Sequence, residues 1–334
     1  MMKLYTVLLL IYASALAHSS VESPRTRAPL DQPNILLIVL DDVGIDRFPG
    51  YGVHPVPMRM PVMERLINRG IRFNRVWSMP NCSPTRASLL TGRFPSRHGV
   101  YRAVSPDDDD AVELDTAEVT LPRVLPGYRS SAVGKWHLKA PNTSGVHPLL
   151  CGFGHHAGSL YNVGGGGYSN WERTVDGTPG MENRYASTVA STDALRLAQQ
   201  LLPEPWLLYV SYNAAHAPFH VPPQHLHSYG NPTDKITRFR AMCEAMDTEI
   251  GRLLAGVDLD NTLVIVLGDN GTPGQVSTGP WPADHAKGSL YEGGVRVPMV
   301  IAGPGVVHGT SQALISVTDL HRTLVEYTGG HYQA

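Results

Sequence analysis

The sequence predicts an α/β fold in which a mostly parallel central sheet carries helices on both faces. Two observations support this. From Asn34 onward, short runs rich in Val, Ile and Leu alternate with segments whose apolar residues recur at helical spacing, the pattern of strands buried on both sides. Polar residues of chemical interest stand directly after those runs, where open sheets of this kind hold their ligands.

Strands are expected at 35–40, 72–77, 131–133, 206–211, 262–267 and 299–302, with helices between them. The clearest helical stripe is Phe239, Met242, Cys243, Met246, Ile250, Leu253 and Leu254, whose spacing of three and four buries one face; its methionines read as core filler. A second helix near 188–202 stops before Pro203, and a third covers 318–327. A further helix begins at Cys82, because Ser83-Pro84 suits an N-cap and first helical position.

The N-terminus carries Lys3, an apolar run over 4–16 and Ala15-Leu16-Ala17, the small-x-small arrangement of a cleaved signal peptide spanning 1–17. The run is shorter than the roughly 20 apolar residues of a membrane span, and no later segment qualifies, so stable membrane insertion is not expected. Residues 18–33 read as a flexible tail before a folded region over 34–334. The acidic quartet at 107–110 reads as a solvated loop and the glycine run at 164–167 as a mobile one. A formal charge of −2, with no dense basic run, excludes a nucleic-acid footprint. Three cysteines leave an odd thiol in an exported chain.

Asp41 and Asp42 follow the first strand, Cys82 the second, Lys135 and His137 the third, His216 the fourth, and Asp269 and Asn270 the fifth. Asp41, Asp42, Asp269 and Asn270 are hard oxygen donors of the kind that hold calcium or magnesium, and adjacent carboxylates repel one another without a cation. An Asp-Asp pair also caps turns, but two such groups at separate strand ends favour the metal. A helix starting at Cys82 presents free N–H groups and a positive dipole to an anion. Arg86, one turn along, with Lys135, His137 and Lys287, adds the donors and charge that neutralise a sulfate or phosphate group.

The run Cys82-Ser83-Pro84-Thr85-Arg86-Ala87-Ser88-Leu89-Leu90-Thr91-Gly92-Arg93 resembles the first signature of the sulfatases, where Cys-x-Pro-x-Arg marks the cysteine oxidised to formylglycine. Gly134-Lys135-Trp136-His137-Leu138 resembles the second signature, and Lys287 with Tyr291-Glu292-Gly293-Gly294-Val295-Arg296-Val297-Pro298 resembles a third family segment. Asp41-Asp42, His216-Ala217-Pro218 and Asp269-Asn270-Gly271 match in order and spacing, so the resemblance covers roughly 33–328.

The resemblance implies the fold shared by sulfatases and alkaline phosphatase, and hydrolysis of sulfate esters to inorganic sulfate and an alcohol or phenol. It implies one divalent metal ion, calcium in preference to magnesium, held by Asp41, Asp42, Asp269, Asn270 and an oxygen of modified Cys82. Arg86 and Lys135 would orient the formylglycine hydrate, His137 would assist sulfate release, and His216 and Lys287 would hold the substrate and favour departure of the alcohol. A further sulfate contact would lie near 155–159, at a residue the resemblance does not fix. An aldehyde hydrate has two hydroxyls, one to attack sulfur and one to expel sulfate afterwards, an exit that a plain serine lacks. Modification of Cys82 accounts for the odd thiol and leaves Cys151 and Cys243 to pair or to stay as buried thiols. Members of the family usually continue into a small C-terminal sheet domain, which is expected to be absent here, the catalytic domain being truncated at its C-terminus, so an exposed apolar surface or an incomplete substrate cleft is expected.

The expected partners are a sulfated small molecule or glycan as substrate and a formylglycine-generating enzyme during maturation. The expected compartment is extracellular, lysosomal or periplasmic. Two other readings stay open: a phosphoester or phosphonate hydrolase of the same superfamily, and a non-catalytic sulfate-binding protein. A zinc hydrolase is disfavoured, because the His216 to His220 segment has no matching carboxylate pattern.

Overall fold

A computed structural model describes residues 32–164 and 167–330. The signal peptide, almost all of the expected tail and the middle of the 164–167 glycine run lie outside the described residues. Ten strands among the described residues form one sheet. They are β1 (Asn34–Leu40), β2 (Ile71–Trp77), β3 (Arg129–Gly134), β4 (His155–Gly158), β5 (Trp171–Val175), β6 (Thr178–Glu182), β7 (Trp206–Ser211), β8 (Thr262–Gly268), β9 (Met299–Ala302) and β10 (Gly309–Ser316). The order across the sheet is β10-β2-β9-β8-β1-β7-β3-β4-β5-β6.

Its centre is parallel: β8, β1, β7, β3 and β4 run together, while β9 and β5 run against their neighbours. The strand β1, NILLIVL, is apolar after its first residue because both its faces are covered. Leu36, Ile38 and Leu40 enter one core with Met242, Met246 and Leu253, while Ile35, Leu37 and Val39 enter the other with Leu89, Leu90 and Trp136. Burying each such side chain contributes about 1.5–3 kcal/mol, which makes β1 the structural axis of the molecule.

Six strands lie where the apolar runs place them, with ends differing by up to two residues. The others were not anticipated, for physical reasons. Strands β5 and β6 form a hairpin around Asp176-Gly177, both at positive φ, and their side chains are largely polar or exposed. Strand β4 reads HHAG, and β10 is an exposed edge interrupted by a bulge, so neither shows an apolar run.

The helix of the 239–254 stripe runs over Lys235–Ala255, its N-terminus capped by the Asp234 carboxylate, which accepts from Thr237 N at 2.8 Å. The helix before Pro203 covers Ala186–Gln200, and the last spans Asp319–Tyr327. The helix at Cys82 covers Cys82–Thr91, but its cap is Asn81 in extended conformation rather than Ser83. The Ser83 hydroxyl is instead turned to Val104, accepting its N–H at 2.9 Å.

Pairing of Cys151 with Cys243 does not occur: all three cysteines are free and buried. Cys243 belongs to the core on one face of the sheet and Cys151 to the core on the other, so the sheet separates them. No helix among the described residues is long and apolar enough to cross a membrane. Near the ends of β2 and β10, Trp77, Phe94, Tyr291 and Leu314 are exposed and line a cavity of about 700 Å³.

Candidate active site

The strand register brings the site residues level. Val39 pairs with Ser211, Leu40 with Gly268 and Gly134 with Ser211, so β1, β7, β8 and β3 end side by side. The next residues, Asp41, Asp269 and Lys135, therefore emerge at one edge and are all buried. Asp42 and His137 adopt φ of 62° and 60°, the left-handed region that non-glycine residues rarely enter. Held there just beyond the ends of β1 and β3, the two strands that flank β7, they mark a functional site rather than an ordinary turn.

Lys135 Nζ donates to Asp41 Oδ2 at 2.5 Å, both wholly buried. Arg86, also wholly buried, donates to Asp269 Oδ2 at 2.8 Å and to the Ser211 hydroxyl, with the Tyr209 hydroxyl at 3.2 Å and the Lys135 carbonyl at 3.3 Å. Lys287 Nζ donates to Asp42 Oδ1, which also accepts from Asn270 Nδ2 at 2.8 Å. Asp269 Oδ1 accepts from Asp42 N at 3.0 Å, and His216 Nε2 lies 3.9 Å from Asp42 Oδ2.

Three carboxylates thus balance three cations. Burial raises the Asp41 carboxyl, but Lys135 and then His216 outweigh it and hold the group below the ordinary value. Burial and the neighbouring Asp41 push Asp269 up, against the pull of Arg86, Lys135 and Lys287. Burial works against the charge of Lys287, yet Asp42 above all keeps its ammonium protonated. Burial, with Lys135, Arg86 and His216, depresses His137 far below the usual imidazole value, so its ring is neutral. Burial also pushes the unmodified Cys82 thiol up to about 12.

Among the described residues, two buried oxygens in the cluster have no hydrogen-bond partner, Asp41 Oδ1 and Asn270 Oδ1. Leaving such acceptors unsatisfied costs about 1–3 kcal/mol each, and a hard cation would satisfy both. Ligand atoms of Asp41, Cys82 and Asp269 lie within 4.8 Å of one another, as do those of Asp42, Cys82 and His216. Oxygen ligands about 2.3–2.6 Å from a calcium ion span such distances, so the donor set fits a divalent metal.

The family model for Sulfatase matches residues 33–330. The chain belongs to the sulfatase family. Arylsulfatase J of Mus musculus is 28% identical over 91% of this chain and 54% of its own length. N-acetylgalactosamine-6-sulfatase of Homo sapiens is 33% identical over 89% of this chain and 62% of its own. The chain therefore spans between half and two thirds of these two sulfatases. Among solved structures, Ps i-CgsB in complex with k-i-k-neocarrahexaose superposes with a TM-score of 0.80 at 26% identity, covering 90% of this chain and 73% of that one.

Within this sulfatase fold, Asp41, Asp42, Cys82, Arg86, Lys135, His137, His216, Asp269, Asn270 and Lys287 all stand at the carboxyl edge of the sheet or on segments packed against it. Of residues 155–159, where the family resemblance locates another sulfate contact, His155 is turned to Asp176 at 2.8 Å. Ser159 stands at the end of β4, its hydroxyl accepting from Asn213 Nδ2 at 2.8 Å. Sequence reasoning missed Tyr209 and Ser211, which hold Arg86 from within β7. Their signal is faint: two hydroxyls at alternate positions, hence on one face, of an otherwise apolar strand.

Proposed function

We propose that this chain carries the catalytic domain of an exported hydrolase of sulfate esters, with Cys82 as the residue converted to its nucleophile. The observation that supports it most is the enclosure of Cys82, at the first position of a ten-residue helix, by balanced buried charges that include two unpartnered oxygens. Maturation would require a formylglycine-generating enzyme, and the compartment would be extracellular, lysosomal or periplasmic.

Asp41, Asp42, Asp269 and Asn270 would hold the divalent ion, calcium by preference, since the donors are oxygens in a flexible carboxylate set. When bound, that ion supplies Lewis acidity toward sulfate oxygens and lowers the pKa of a coordinated hydroxyl. With the protein charges already balanced, its addition leaves the cluster positive and suited to an anion.

The chain's own groups then divide the work. Arg86 and Lys135 are fixed by buried partners, so they orient the side chain at Cys82 without reorganising. Free N–H groups at the start of the Cys82–Thr91 helix stabilise negative charge at the same place. The neutral His137, whose Nδ1 has no hydrogen-bond partner among the described residues, accepts the proton released when sulfate departs. His216 and Lys287 are less buried than the rest of the cluster, so they face the substrate and donate to the departing alcohol oxygen. A sulfated glycan is the preferred substrate class, supported by the likeness to a fold solved in complex with k-i-k-neocarrahexaose.

The test is an assay of converted protein with 4-nitrophenyl sulfate, sulfated oligosaccharides and 4-nitrophenyl phosphate. Sulfate release exceeding phosphate release is the expected result. Preference for the phosphate ester, or no sulfate release with Cys82 converted and metal present, would overturn the reading.

A further inference from the structure

Beside the charged cluster, where β4 ends, lies a separate cavity of about 310 Å³. One wall carries Ser159, Tyr161 and Asn162, and the other Asn170, Trp171 and Glu172. The first wall is tied to the site by backbone bonds from Trp136 N to Ser159 O at 2.9 Å and from His137 N to Leu160 O at 3.0 Å. Because β4 is the neighbour of β3, the wall starts about 4.8 Å, one strand spacing, from the strand that delivers Lys135 and His137. That is the reach of an adjoining unit of a substrate already seated on those residues.

The lining is mixed in a specific way. Asn162 Oδ1 is buried with no hydrogen-bond partner among the described residues, an acceptor open to a donor on a ligand. Asn170 and Glu172 are exposed and add an amide and a carboxylate. Tyr161 offers an aromatic surface, and its orientation is fixed by Lys139, whose Nζ contacts its hydroxyl at 3.2 Å and lies 5.5 Å from its ring centroid. A second sulfate would be repelled by Glu172. Lys139, whose Nζ donates to the Ala140 and Pro141 carbonyls at 2.7 and 3.1 Å, stands behind Tyr161 and is not part of the cavity lining.

Resting on the sulfate-ester reading above, we infer that this cavity binds a neutral, hydroxyl-bearing sugar ring, the unsulfated unit next to the sulfated one. Hydroxyls donate to Asn162 Oδ1 and to the Glu172 carboxylate, and the apolar face of the ring meets Tyr161. The enzyme would thereby select oligosaccharides in which sulfated and unsulfated units are adjacent.

Two measurements test this. Saturation-transfer NMR with lactose, cellobiose and maltose should show binding of at least one to the wild-type protein, lost in Glu172→Ala and in Asn162→Ala. Glu172 is an exposed strand residue, so its variant keeps the fold. In kinetics, each substitution should lower kcat/KM by about tenfold for a monosulfated disaccharide, the effect of one lost hydrogen-bond partner, with 4-nitrophenyl sulfate unchanged. Absence of binding by all three sugars, or binding and kinetics indifferent to both substitutions, overturns the inference. If the wild-type protein fails to cleave 4-nitrophenyl sulfate, the hydrolase reading fails, and the NMR arm alone decides the cavity.

Discussion

Asn270 donates its amide to Asp42 at 2.8 Å while its own Oδ1 stays buried with no hydrogen-bond partner among the described residues. The donation fixes which end of the amide is free, and the free end is an acceptor, as is the unpartnered Oδ1 of Asp41. Two acceptors left open in a buried cluster whose own charges are balanced offer hard oxygen ligands to a divalent cation, whose charge would then be available to an anion.

Loss of metal should follow from that arrangement in a graded way. Asp269→Ala is expected to abolish metal binding and activity together, and Asn270→Ala, which removes a neutral ligand, to weaken both less. Asp269→Ala also strands the buried Arg86 guanidinium, a change that costs about 3–5 kcal/mol in comparable pairs, so Asp269→Asn serves as the gentler companion. Elemental analysis of the purified variants decides: full metal content in Asp269→Asn and Asp269→Ala would refute the ligand assignment.

Asp247 supports the fold from a distance. Its two carboxylate oxygens accept from Val62 N and Met63 N at 2.8 and 2.9 Å, capping the Pro61–Arg69 helix, whose own cap residue, Met60, has no side-chain acceptor. Asp247→Ala should lower stability by about 1–2 kcal/mol, the usual worth of a lost cap, without changing kcat or metal content. Urea denaturation reads the first effect. An unchanged midpoint would show that the contact contributes nothing.

How much of this was legible depended on burial. The runs ILLIVL at 35–40 and TLVIVL at 262–267 announce strands because covering layers exclude polar residues from both faces. Strand β10, half exposed at an edge, carries no such constraint, and the β5–β6 hairpin was detectable mainly through its Asp176-Gly177 turn. Residues such as Asp41 and Lys135 stand out because they interrupt apolar runs at their ends, whereas Tyr209 and Ser211 sit inside a run and read as part of it. The separation of Cys151 from Cys243 was invisible for another reason: one-dimensional order does not say which face of a sheet each segment covers.

Acid should destabilise the protein through His156, which is buried in β4 with its ring 6.4 Å from that of Trp136. Burial first, and then His155, depress its pKa to about 3, against the opposing effect of Asp176. A folded value below the unfolded 6.5 means the unfolded chain takes up the proton first, so stability is fully present above pH 6.5 and is lost as pH falls toward 3. Between pH 6.5 and 5 the loss from this group should be about 2 kcal/mol. His156→Gln should be less stable at pH 7 but flatten the slope below 6.5. Parallel slopes for the two proteins would assign the acid sensitivity elsewhere.

The dependence on Cys82 conversion makes the most demanding prediction, because the folded structure restricts when conversion takes place. Cys82 is 1% exposed, at the start of a helix whose ten residues are all buried. A modifying enzyme cannot reach that thiol without unfolding the helix, so the proposed conversion would have to precede folding. Protein made in cells lacking a formylglycine-generating enzyme should therefore fold with an unmodified cysteine, be inactive, and stay inactive when the folded form is later treated with that enzyme. Co-expression should yield active protein whose Cys82 peptide has the mass of an aldehyde instead of a thiol. Cys82→Ser, nearly the same in volume, should keep fold and metal yet lack the second hydroxyl that releases sulfate, and so stop after at most one turnover. Full sulfate-ester turnover by a preparation whose Cys82 peptide is wholly unmodified would exclude the mechanism, and activation of the folded cysteine form would exclude the order of events.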